Sequence, residues 1–413
     1  MRKVSSILLF LILVLPACER DYFGQLPGKY TLTVQVSYPE YYTAGPAEGV
    51  EVKLVNQSNR LFSVGYTNAT GTVVFEDIIR GTYRVSAGMK LSAETAVSLG
   101  DTVPTAQDIA DGRLINLNAS KQDIFIESDG GEEALILRSS IPGTLLIKEV
   151  FYTGTTTPAG KAYYSDHFVE IYNNTNEVIY ADSLYVANCF GSNGNTDGEV
   201  SRFQDLLPDT VALEFVWMVP GNGRTWPIGP GESLIIAQDG MNHRDDPNGN
   251  PNSIDLSVAD LETYLYRPEN QKDVDITEVP NMTEIFYNRP GTHDWILHSY
   301  GASIVIFKAE KGWENGVRIV PEPYDTEGHE VALIPSSWVL DGFEALAYAR
   351  SGKYKRLPVP IDAGFQYCNG IFNGQSCRRK VEDRIGDRLI LQDFNNSSED
   401  FEVISFPTPG ILE

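Results

Sequence analysis

Residues 145–174 read LLIKEVFYTGTTTPAGKAYYSDHFVEIYNN. Two runs within this stretch, residues 145–150 and 166–174, alternate apolar and polar side chains with the period of two that marks a strand with one face on a core. The polar, glycine-containing loop between them is an excursion rather than a tight turn, so the stretch predicts two strands and a long connection. Strand geometry sorts its polar residues. Glu149 falls on the face of Ile147 and Phe151, and Glu170 on the face of Phe168 and Tyr172, which makes the two glutamates a candidate carboxylate pair for a hydrolase. Against that stands a structural role, in which each carboxylate holds backbone amides or a basic side chain. His167 and Glu170 are three apart and point to opposite faces, so Asp166, His167 and Glu170 do not form one cluster.

Working outward, the 413-residue chain is long enough for two domains with separate cores, and its 42% hydrophobic content is that of a globular protein. With 56 acidic against 32 basic residues the formal charge is −24. Such a surface repels phosphate backbones and anionic headgroups, and nucleic-acid partners are excluded. The 21 Tyr, 18 Phe, 36 Gly and 23 Pro, together with the scarcity of 3.6-residue apolar spacing, predict an all-β chain.

At the N-terminus, Arg2 and Lys3 precede an apolar run over residues 7–15 and then Pro16-Ala17-Cys18, the order of a secretory signal that is too short to remain as a membrane span. A small residue before Cys18 resembles the bacterial lipobox. That resemblance implies cleavage after residue 17, acylation of Cys18 and a permanent lipid anchor. Glu19 in place of Asp after the cysteine implies the outer membrane, and the acids Glu19 and Asp21 resemble the surface-export signals of certain lipoproteins.

From Tyr30 to Tyr38 the chain alternates with Leu32, Val34 and Val36 inward. Val50 to Leu54 repeats the period, and Asn68-Ala69-Thr70-Gly71 supplies a turn before Val73 and Phe75 point inward. Arg80-Gly81 then leads into Tyr83-Arg84-Val85. The order T-x-x-x-G-x-x-x-F followed by G-x-Y-x-V resembles the carboxypeptidase-regulatory-like, transthyretin-type sandwiches, which serve as spacers or docking modules. Closing strands are expected up to residue 137, with residues 128–133 as a turn or hairpin tip and Pro142-Gly143 as the passage onward. The domains expected are residues 1–17 as signal, 18–28 as tether, 29–141 as the first sandwich and 142–413 as the second domain.

The opening stretch itself resembles the first strands of the lamin-tail immunoglobulin-like domain. Its closing segment is matched by Asp393, Ser397, Asp400 and Phe401 and then Thr408-Pro409-Gly410. The resemblance implies that both ends lie in one expanded lamin-tail-like β-domain, with insertions between them. The whole layout resembles DUF4876, an uncharacterised family of Bacteroidota lipoproteins, which implies an architecture and no activity.

Within the insertions, residues 233–237 (SLIIA) and 303–307 (SIVIF) read as buried strands. Between them, DDPNGNPNSID at residues 245–255 places Asp246, Asn248 and Asn250 at calcium-loop spacing. Pro251 and Ser257 then stand where an EF-hand needs Gly and a carboxylate, so a capped loop before a short helix over residues 257–265 is expected instead. His293, Asp294 and His298 lack any nucleophile motif beside them. Cys368 and Cys377 flank an Asn-Gly-rich loop and are the natural disulfide pair in an oxidising compartment, leaving Cys189 free and buried. All five Trp (217, 226, 295, 313 and 338) fall in the second domain, as core or as stacking platforms. Asp101-Thr102-Val103, Asp182-Ser183-Leu184 and Asp209-Thr210-Val211 match an O-glycosylation sequon of some Gram-negative envelopes.

These readings converge on a surface-facing outer-membrane lipoprotein with a non-catalytic binding role, no cofactor and no metal. Its expected partner is a TonB-dependent outer-membrane transporter for nutrient uptake. A structural or adhesive envelope protein is the second class, and a hydrolase using Glu149 and Glu170 the third.

Overall fold

In the computed structural model the two runs form strands Leu145–Phe151 and Phe168–Asn173, paired antiparallel at the centre of a six-stranded sheet. The structure describes residues 29–191 and 209–411 except 103, 111, 141, 142, 290, 291, 310 and 324. Cys18, with the expected signal and tether, lies outside the described residues. The chain is all-β. Its helices are single turns or little more, and among the described residues none is long and apolar enough to cross a membrane.

Residues 30–140 build a sandwich of two sheets. One has three strands, Thr72–Ile78, Tyr30–Ser37 and Gly131–Ile136 in that order, and the other has five, running from Phe62–Tyr66 through Glu51–Asn56, Gly81–Ser92 and Leu114–Ile126 to Arg138–Ser140. Leu32, Val34, Val36, Val52, Leu54, Val73 and Phe75 fill the core between them, on the faces their alternation predicts. Two details differ from the sequence reading. Gly131–Ile136 pairs parallel to Tyr30–Ser37, so residues 128–130 carry the chain across to the other sheet rather than close a hairpin. The segment between residues 89 and 114 adds two short helices, Ala93–Ser98 and Ala106–Ala110, where only closing strands were expected.

From residue 143 onward the chain builds a second pair of sheets. In the first, the order is Leu261–Glu262, Ser233–Ala237, Phe168–Asn173, Leu145–Phe151, Ser376–Arg379 and Phe401–Ile404. The opening stretch and the closing segment therefore share a sheet, with Ser376–Arg379 between them. The facing sheet has seven strands, including Tyr185–Cys189, Thr210–Met218, Ser303–Phe307 and Val339–Glu344. Ile147, Val150, Val169, Ile171 and Ile236 from one sheet meet Val186, Trp217, Ile304, Ile306 and Phe343 from the other. Tyr185, Val305 and Phe307 are covered on the outer side by residues that include Trp313, Trp338, Leu357 and Ile361. Burial on both faces is why these strands read as unbroken apolar runs.

A β-bulge breaks the parity of the organising strand. Glu170 stands opposite Glu149, but Ile171 stands opposite Ile147, so Lys148 is an extra residue. Leu145, Ile147, Val150 and Tyr152 face the core, and Lys148 and Glu149 both leave it. Ile147 is thus on the opposite face from Glu149, contrary to simple alternation.

Candidate functional site

The structure first settles where the glutamate pair goes. Glu149 and Glu170 are fully buried and opposite one another, yet the C-terminal segment closes over both. Thr408 donates to Glu149 through its backbone N–H (3.0 Å) and hydroxyl (2.7 Å). Glu170 takes Lys148 Nζ at 2.7 Å and the Gly410 N–H at 3.3 Å. Burial raises the Glu149 carboxyl, the hydrogen bonds from Thr408 and Ser376 oppose that, and Glu170 adds to it. The Thr-Pro-Gly motif is a latch on these two acids, which lie fully buried beneath it. Asp166 accepts from Thr155 (2.7 Å) and Ser253 (2.5 Å). His167 is fully buried and held neutral, its pKa lowered by burial to about 3.

The residues at calcium-loop spacing are also committed elsewhere. Asp246 caps the Asn248 N–H at 2.7 Å, and Asn250 turns inward to donate to Thr155 at 2.8 Å. No helix follows over residues 257–265. Ile235 and Asp260 exchange two hydrogen bonds, which draw the chain into the two-residue strand Leu261–Glu262 instead. Of the cysteines, Cys189 is buried with its thiol pushed up to about 12 by desolvation. The Cys368 and Cys377 Sγ atoms, both buried, stand 3.9 Å apart, so the fold brings the expected pair together.

Trp217 and Trp295 are fully buried, and Trp226, Trp313 and Trp338 pack against the cores. Among the described residues the strongly exposed rings are mostly tyrosines, with Phe62, Phe125 and Phe406 beside them. Tyr300 and Tyr348 are 47% and 41% exposed, and with Tyr367, Cys368 and Asn369 they line a cleft of about 510 Å3 whose floor includes the buried Tyr152. Rigid elements hold these rings. Tyr300 precedes Ser303–Phe307, Tyr348 follows Val339–Glu344, and Tyr367 follows Gln366, which bridges to Ala345. The first sandwich reaches the rim as well. Arg60, in the left-handed region at φ 60 in the turn between two strands, lays its guanidinium 4.2 Å from the Tyr367 ring centroid. It also donates to Tyr367 Oη at 2.8 Å and to Asn369 Oδ1 at 3.2 Å.

The lining offers ring faces, hydroxyls, amides and one thiol, with no carboxylate or imidazole among its described residues. The Cys368 thiol is lowered by its bond from Cys377, while burial opposes the shift. Such a surface can stack and hydrogen-bond a ligand. Sequence reasoning missed it because it looked for tryptophan, and because residues 300, 348 and 367 share no spacing.

Residues 229–408 match DUF4876, described as a protein of unknown function. The match contains Tyr300, Tyr348, Tyr367 and Thr408 but neither Tyr152 nor Gly410, and it begins after Glu149 and Glu170. A crystal structure of a DUF4876 family protein from Bacteroides thetaiotaomicron is similar over 90% of this chain and 94% of its own, at 25% identity and a TM-score of 0.55. Two further structures align less well, both with TM-scores of 0.18, which carry no argument. One is a candidate carbohydrate-binding protein from Pseudomonas aeruginosa, at 14% identity over 27% of this chain and 90% of its own. The other is a candidate adhesin from Bacteroides ovatus, at 8% identity over 49% of this chain and 62% of its own. No curated protein sequence matches the chain.

Proposed function

We propose that this is a non-catalytic binding protein, lipid-anchored through Cys18 on the outer membrane, which captures an extracellular ligand in the tyrosine cleft for uptake through a TonB-dependent transporter. The observation that carries the reading is the set of two half-exposed rings, Tyr300 and Tyr348, around a cleft of about 510 Å3 with Tyr367 on its wall. Exposed aromatic rings pre-set by the fold bind flat apolar faces at low entropic cost, and the surrounding amides and hydroxyls give orientation. A saccharide, with C–H faces edged by hydroxyls, has the matching chemistry.

The test is calorimetric titration of the purified protein with a panel of oligosaccharides, beside the Tyr300→Ala/Tyr348→Ala double variant. At least one saccharide is expected to bind, and the double variant to weaken it tenfold or more, on the order of 1–3 kcal/mol for lost stacking. Absence of binding across the panel, or binding unchanged in the double variant, overturns the cleft assignment. Membrane fractionation of Cys18→Ala tests the anchor separately, since an unchanged membrane fraction would remove it.

A further inference from the structure

A second cluster lies apart from the cleft, where Asp239, Asp273 and Asp294 bring carboxylate oxygens within 4.8 Å of one another. They come from three separate segments. Asp239 follows the strand Ser233–Ala237, Asp273 lies in the loop after Leu265, and Asp294 precedes the fully buried Trp295. Asp239 and Asp273 are 5% and 7% exposed. Each acid leaves one oxygen, Oδ1, buried and without a hydrogen-bond partner. Of the other oxygens, Asp273 Oδ2 accepts the Leu265 N–H at 2.8 Å. Among the described residues no Lys or Arg forms an ion pair with any of the three, and Lys272 stands at the margin of the adjoining cleft.

An independent observation points to a ligand. Gln238 is fully buried with its amide within reach of the Asp294 carboxylate, and its Oε1 has no hydrogen-bond partner. Three buried groups and the half-buried Asp294 leave unused oxygens in one place, which costs free energy unless a guest satisfies them.

We propose that Asp239, Asp273 and Asp294, joined by the amide oxygen of Gln238, bind a calcium ion. Oxygens at about 2.4 Å from a common centre are at most about 4.8 Å apart, and the three carboxylate oxygens lie within that limit. An all-oxygen set of hard donors selects calcium over zinc or copper. The adjoining cleft of about 560 Å3, lined by Asp294, Ser165, Tyr163 and Thr292, admits the waters that complete six to eight ligands. The ion would tie three insertion segments to one point.

The purified full chain, treated with EDTA and exchanged into chelator-free buffer, is titrated with CaCl2 by calorimetry. One site with Kd on the order of 10⁻³ M or tighter is expected, weakened at least tenfold in Asp239→Asn and Asp273→Asn. In EDTA both variants should melt no lower than the parent, because an amide of the same shape carries no cost of burying a charge. Should a variant fail to fold, hydrogen exchange on the unsubstituted protein replaces it, with calcium expected to slow residues 238–241, 265–275 and 287–295. No calcium heat up to about 10 mM, an unchanged Kd in both variants, or slowing confined to other segments overturns the proposal.

Discussion

Asp182 accepts backbone hydrogen bonds from Gly223, Thr225 and Trp226 at 2.9–3.0 Å, so one carboxylate shapes the whole loop from Gly221 to Trp226. Burial alone would raise its pKa, but the N–H bonds outweigh it and hold the carboxyl far below the usual carboxylate range. The neighbouring Gly221 is constrained by the same group, since a Cβ there would lie 2.1 Å from Asp182 Oδ1. Asp182→Ala should cost about 2–3 kcal/mol through unsatisfied amides and a lost charged acceptor, read as a shift of the urea midpoint at constant slope. An unchanged midpoint would show that water serves the loop equally well. In the sequence this residue stood out only as part of a glycosylation sequon. Its structural work is invisible there because its partners are backbone amides some forty residues away.

At the scale of elements, the closing segment is held by one guanidinium. Arg379, on the strand between the opening and closing strands, donates to Ile147 O at 2.8 Å and Gln392 O at 3.0 Å, and pairs with Asp341, Asp393 and Asp400. It is 1% exposed. Removing it leaves three buried acids facing each other, so Arg379→Met should destabilise by about 3–5 kcal/mol, with Arg379→Lys intermediate because the ammonium cannot reproduce the fork. Equal denaturation midpoints for the three proteins would contradict this. The acids of the closing motif were legible in the sequence, and Phe401 packs on Phe343 at 4.8 Å between ring centroids. What they serve was not legible, because Arg379 meets Ile147 across 232 residues.

At the scale of the whole molecule, the closing segment also joins the two sandwiches. Glu399 pairs with Lys53 at 2.7 Å and Arg84 at 3.7 Å, Lys90 pairs with Glu382 at 2.6 Å, and Asn116 donates to Asp393 O at 2.7 Å. Burial pushes the Glu399 carboxyl up, but Lys53, Arg84 and Lys380 together bring it below its ordinary value of 4.5. A lowered folded pKa means that the contribution is complete above the unfolded value and is lost as pH falls through the folded one. Glu399→Gln should therefore lower stability by about 1–3 kcal/mol at neutral pH, and the gap should close as the solution is brought to about pH 3. Melting curves across that range check it. A gap that stays constant with pH would mean that Glu399 acts by packing alone.

Local alternation was enough to determine the β class, the separate core of residues 30–137 and the strands of the opening stretch, because a half-buried strand must repeat every second residue whatever it pairs with. Unbroken apolar runs likewise marked the strands covered on both faces. The bulge at Lys148, the latch of Thr408 and Gly410 on the two glutamates, the tyrosine cleft and the carboxylate cluster were decided by tertiary structure alone. Each depends on register between distant strands or on where long insertions return. A one-residue slip in register moves a side chain to the opposite face without changing any local pattern.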